Sequence, residues 1–169
     1  MRSDLPSLLS AATGRPEGDA QQTVGFEPSR RRVAPMNSAA VSATFWVAFG
    51  SAVGGVTRYW VGVAVARLAG EAFPWGTLLI NIVGSFVIAY FGTLTAANGM
   101  RPASLEARLF VMVGLCGGFT TFSSFSLQTV DLLRGGENAR ALAYILASVA
   151  LCLAGSMFGH YAAGLGARG

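Results

Sequence analysis

Polar and charged residues are dense over the first 36 positions and then become sparse. Four apolar segments follow, at about Val41–Ala66, Pro74–Ala97, Arg108–Leu133 and Ala139–Ala163. Each exceeds the ~20 residues a helix needs to cross ~30 Å of hydrocarbon. The connections at 67–73, 98–107 and 134–138 are short and polar. Pro74 suits the first position of a helix. The pattern predicts an all-α integral membrane protein of four transmembrane helices, residues 37–169, with almost no mass outside the bilayer.

The third segment breaks its own pattern. Paired glycines at Gly117-Gly118 precede five hydroxyls between Thr120 and Ser126, and Phe119, Phe122 and Phe125 recur three apart. In hydrocarbon an unpaired backbone group costs several kcal/mol, so a break in a spanning helix survives only where it lines a cavity or meets an ion. Gly117-Gly118 alone can be close packing, but beside Thr120-Thr121 the pair predicts a broken third helix, interrupted at the glycines, and a permeation path.

Composition agrees with the pattern. Of 169 residues, 53% are hydrophobic and 12% charged, so the chain falls among membrane proteins of one domain. The 22 glycines suit helices that approach closely. Twelve arginines and no lysine give a net charge of +4, spread thinly outside Arg30–Arg32, which excludes a nucleic-acid surface. Cys116 and Cys152 lie in apolar segments and read as small hydrophobes. Residues 1–36 lack the apolar core of a signal peptide. They read either as a disordered extension or as residues ahead of a later start at Met36, and both readings stand.

Charge also bears on orientation. From Met36 onward, Arg101, Arg108 and Arg168 lie on one side and Arg67, Arg134 and Arg140 on the other. Three against three leaves the positive-inside rule without a preference, so both orientations are expected. Arg30–Arg32, where present, would favour one.

The chemistry points to an anion. Inside the spans there is no carboxylate before Asp131, at the edge of the third; cation and proton paths usually carry one. Donors are present instead. Asn81 offers two N–H groups, and Thr120, Thr121, Ser123 and Ser124 offer hydroxyls. Phenylalanine edges are electropositive, and Phe122 and Phe125 share a face if helix resumes there. Tyr144, Ser148, Cys152 and Ser156 fall four apart on one stripe of the fourth segment. Each has a plainer reading. The rings can be filler, Asn81 can be interhelical glue, Ser148 can bond back to its own helix, Arg58 can be structural or line a vestibule, and His160 suits an interface. No phosphate-binding loop, catalytic triad or metal-enzyme ligand set is present in the sequence. A small four-helix multidrug exporter would need a glutamate in the first span, which has none. A four-span assembly protein without a pore leaves the polar groups on successive spans unexplained.

Three motifs carry a resemblance. They are Gly50-Ser51-Ala52-Val53-Gly54-Gly55-Val56-Thr57-Arg58-Tyr59, then Gly76-Thr77-Leu78-Leu79-Ile80-Asn81-Ile82-Val83-Gly84-Ser85-Phe86, then Gly114 to Gln128. In order and spacing they resemble the Fluc (CrcB) fluoride channel family, from about Gly50 to the end of the chain. The resemblance implies a passive fluoride exporter, multi-pass in the plasma (inner) membrane of a prokaryote, that works as a dual-topology antiparallel homodimer. It implies a structural Na⁺ at the dimer centre, held by the backbone carbonyls of Gly117 and Thr120. It implies a fluoride path past Asn81, Phe122, Phe125, Ser123 and Ser124 and along Tyr144, Ser148 and Cys152, with Arg58 and Gln128 in structural or vestibule roles. The family commonly has a hydroxyl at the position of Cys152 and a glutamate at that of Gln128.

Overall fold

The computed structural model describes residues 37–96, 99 and 101–165; the 1–36 extension and Arg168 lie outside them. Four helices are long and apolar enough to cross a membrane: α1 (Ser38–Ala69), α2 (Trp75–Leu94), α3 (Leu105–Arg134) and α4 (Asn138–Leu165). The chain is a multi-pass membrane protein.

Local chemistry sets the ends. Asn37 caps α1 by accepting from the Ala40 N–H at 2.9 Å. Gly70, at φ 76°, closes it with an N–H bond to the Ala66 carbonyl, a left-handed conformation that favours glycine. Thr95 ends α2, its hydroxyl bonded to the Phe91 carbonyl at 2.6 Å. Ser104 caps α3 through the Ala107 N–H at 3.2 Å.

Small residues decide how the helices meet. α1 runs alongside the first half of α3, and α2 alongside α4. Gly50 and Gly54 on α1, and Gly114 and Gly118 on α3, sit backbone to backbone; a Cβ on Gly118 would stand 2.5 Å from the Ser51 carbonyl oxygen. Gly155 and Gly159 on α4 press in the same way on Ile82 and Phe86 of α2. Without a hydrophobic force between helices in lipid, such close approach supplies the attraction.

α3 is irregular along its length. Residues Leu109–Cys116 are wound as a π-helix against α1, and Gly117–Phe119 return to α geometry. Thr120 and Thr121 are then extended, at ψ 158° and 114°, before helix resumes over Phe122–Arg134. The third helix is therefore broken, but not at the glycines. Gly117 and Gly118 remain helical, because Gly118 is needed where α3 touches Ser51. The break falls on the threonines beyond them.

Candidate permeation site

The break is held by a side chain from another helix. Asn81 of α2 accepts from the Thr121 N–H at 2.8 Å and donates through Nδ2 to the Thr121 carbonyl at 3.1 Å. One of its two amide hydrogens is thus committed, and one remains. Gly84, a turn further along α2, makes room: a Cβ there would collide with the Thr120 methyl.

Thr121 is the hub of a small hydroxyl network. Its hydroxyl bonds the hydroxyls of Ser123 at 3.1 Å and Ser124 at 3.0 Å and caps the restarted helix through the Ser124 N–H at 3.1 Å. The Thr120 hydroxyl folds back onto the Cys116 carbonyl at 2.8 Å.

These bonds have a consequence for two carbonyls. In an unbroken helix the Thr121 and Ser124 N–H groups would close onto the carbonyls of Gly117 and Thr120. Here both donors go to side-chain oxygens. A Cβ on Gly117 would meet nothing within 4 Å, so space lies open beside it. Neutral carbonyl oxygens of this kind suit a hard cation. Among the described residues, no three His, Cys, Asp or Glu side chains gather as a metal site, so an ion there would depend on the backbone.

A cavity of about 360 Å³ opens against the break, lined by Asn81, Thr121, Phe122, Phe125, Ser148 and Cys152 among others. Gly117 and Thr120 reach it too. The rings of Phe122 and Phe125 lie 5.4 Å apart, tilted by 44°. Phe122 is 78% exposed on the single chain, and Phe125 leans on Tyr144 at 5.2 Å. Tyr144 is fully buried, with Phe73 edge-on to it at 5.5 Å, and donates to Gln128 Oε1 at 2.9 Å.

Ser148 stands apart. Its Oγ is buried in that cavity wall and has no hydrogen-bond partner among the described residues. It does not bond back to its own helix, so that plainer reading does not describe it. Ser156, lower on the stripe, does find a partner, the Ser85 carbonyl at 3.2 Å. A buried hydroxyl without a partner is costly in a native structure and calls for a ligand or water.

A second cavity, about 550 Å³, lies on the other side of Thr121 and is lined by Arg58, Gly62, Glu71, Thr121, Ser124 and Gln128, with others. Among the described residues Arg58 makes no ion pair. A guanidinium on a cavity wall attracts anions, and the Glu71 carboxylate lining the same cavity opposes it. Thr121 borders both cavities.

The structure thus gathers Asn81, Phe122, Phe125, Ser148 and Cys152 around one cavity and Arg58, Ser124 and Gln128 around the next, with Tyr144 bridging through Gln128 and Phe125. Ser123 borders neither and is held by Thr121. In the sequence Thr121 is only one hydroxyl among several. Its part as the join between two cavities depends on Asn81, which no local signal connects to it.

A family model for CrcB-like protein, Camphor Resistance (CrcB), matches residues 45–160. A protein of Methylocella silvestris named Fluoride-specific ion channel FluC is 56% identical over 118 residues, 70% of this chain and 90% of that one. Proteins of the same name from Methylobacterium radiotolerans and Opitutus terrae are 53% and 50% identical, covering 69% and 73% of this chain and 81% and 93% of theirs.

Proposed function

The chain belongs to the CrcB-like family, and from that premise we propose that it is a fluoride-selective channel of a prokaryotic plasma membrane, working as an antiparallel homodimer. It is a channel rather than an enzyme. The observation that carries the reading is the partnerless hydroxyl of Ser148 in a cavity that also holds the Asn81 amide and two phenylalanine rings, with no carboxylate among the described residues that line it. Such a lining offers donors and ring edges to a small anion. The names borne by relatives that are aligned over most of their length support fluoride as that anion.

The steps follow from the chemistry of the residues. Arg58 draws fluoride into the vestibule. Thr121 and Ser124 pass it across the junction, exchanging hydroxyl hydrogen bonds for parts of the hydration shell. The ring edges of Phe122 and Phe125 and the hydroxyl of Ser148 replace the rest. Cys152 continues the track with a weaker donor than a hydroxyl. Flow is passive. Hydrogen fluoride enters an acid-exposed cell as a neutral molecule and dissociates, and the negative interior drives fluoride out.

The dimer is supported by the balanced arginines and by the exposed Phe122, which a second subunit would cover. A structural Na⁺ at its centre would be held by the Gly117 and Thr120 carbonyls of both subunits, four hard oxygens by two-fold symmetry. The diverted helical donors support it, since carbonyls left free at membrane depth need a partner.

The multidrug-exporter reading loses its support, because α1 carries no acid to couple to protons. Ser148→Ala tests the channel reading directly. Removing a buried hydroxyl that lacks a partner relieves about 1–3 kcal/mol of desolvation, so the thermal midpoint should hold or rise. Fluoride efflux from liposomes should fall several-fold at the same time. A more stable protein with less flux marks a hydroxyl kept for the ion. Unaltered flux would remove Ser148 from the path.

A further inference from the structure

We propose that Asn81 is a positioning residue that keeps the Gly117 carbonyl free for a cation, and so ties the cation site to the anion cavity; the inference rests on reading the Gly117 and Thr120 carbonyls as sodium ligands. Thr121 has two ways to spend its N–H. One closes a turn of α3 onto Gly117, as in any α-helix. The other reaches Asn81 Oδ1, 2.8 Å away on α2, and this is the one taken.

The same amide also holds the Thr121 carbonyl at 3.1 Å. Thr121 is held at its N–H and at its carbonyl, which belong to adjacent peptide units, and the first of these bonds diverts the helical donor. Thr121 then repeats the exchange one turn on: its hydroxyl takes the Ser124 N–H, the donor that would otherwise close onto the Thr120 carbonyl. Two side chains therefore release two carbonyls. The break belongs to the packing of α2 on α3 rather than to α3 alone, which is why Gly117 and Gly118 can stay helical beside it.

Asn81 also borders the cavity that holds Ser148, Phe122 and Phe125, with one amide hydrogen uncommitted. It serves both ions with different atoms. Its oxygen acts through Thr121 on the carbonyl of Gly117. Its nitrogen holds the Thr121 carbonyl and keeps one hydrogen for the cavity that the residue lines.

Two substitutions separate the roles. Asn81→Leu removes the acceptor. The Thr121 N–H then returns to Gly117, and the response to sodium and the fluoride flux are both lost. Asn81→Asp keeps the acceptor for the Thr121 N–H, the bond on which the proposal turns, while it gives up the donor to the Thr121 carbonyl and places a negative charge in the anion cavity. The sodium response persists while flux falls to background. A residue that only glues two helices together would not divide the effects in this way.

The test uses the purified full chain in detergent, with thermal unfolding and hydrogen exchange over 117–124 monitored in NaCl and in equimolar N-methylglucamine chloride, and fluoride efflux measured alongside. The expected result is a higher midpoint and greater protection in sodium for the wild type and Asn81→Asp, and no difference for Asn81→Leu. A wild type that ignores sodium would overturn the sodium reading and this inference with it. A wild type and Asn81→Leu that respond equally would overturn the inference alone and leave the cation in place. Should Asn81→Leu not fold, Asn81→Asp still decides, since loss of its sodium response contradicts the proposal.

Discussion

Replacing Phe122 or Phe125 by isoleucine is expected to cut fluoride flux by about tenfold or more, an added barrier of about 1.4 kcal/mol. The side chains stay apolar and of comparable bulk, so the helices should still assemble. What is lost is the ring edge, the positive rim of the quadrupole that an anion can approach. Phe125 leans on Tyr144, and Phe122 projects from the surface beside the same cavity. Were both rings filler, the isoleucine variants would conduct as the wild type does. Electrode recordings of fluoride efflux from liposomes, with dimer content checked by gel filtration, separate loss of flux from loss of protein.

Gly54→Leu is expected to abolish the folded protein. A Cβ at Gly54 would stand 2.8 Å from the Phe119 nitrogen, against backbone that no rotamer change can move. Overpacking a well-packed site costs about 1–3 kcal/mol even where side chains can yield. Here α1 would have to lift away from α3 along the Gly50–Gly54 contact. Gly55 provides the control. It is next in sequence, yet a Cβ there meets nothing within 4 Å, and Gly55→Ala should gain about 0.8–1 kcal/mol of helix propensity. Yield and thermal midpoint in detergent read both variants. A stable Gly54→Leu, or a Gly55→Ala as damaging as its neighbour, would show that the helix contact is misread.

The four spans and the broken third helix are legible in the sequence because apolar length and paired glycines are local signals. The helix ends also obey local rules, which is why Asn37, Gly70 and Ser104 extend or close the segments by a few residues. The position of the break is a different matter. Glycine marks where a chain can bend. Here the bend lies where Asn81 captures a peptide 40 residues away, and that partner cannot be read from either segment alone. The π winding of Leu109–Cys116 likewise leaves no compositional trace.

The site shows the same division. The four-residue stripe from Tyr144 to Ser156 places its members on one face of α4, but it does not tell which hydroxyl is satisfied. Ser156 finds a carbonyl on α2 and Ser148 finds nothing among the described residues, a difference made by the neighbouring helix. Ser123 and Ser124 are adjacent in sequence, yet only Ser124 reaches a cavity. Hydroxyl spacing names candidates, and packing sorts them.

Selective, passive permeation of fluoride is measured as efflux from liposomes that contain the purified chain, loaded in parallel with potassium fluoride or potassium chloride and released by valinomycin, with an electrode for each anion. Fluoride release is expected to be rapid, and chloride release no faster than from empty liposomes. Equal release of the two anions, or none of either from a folded protein, would contradict it.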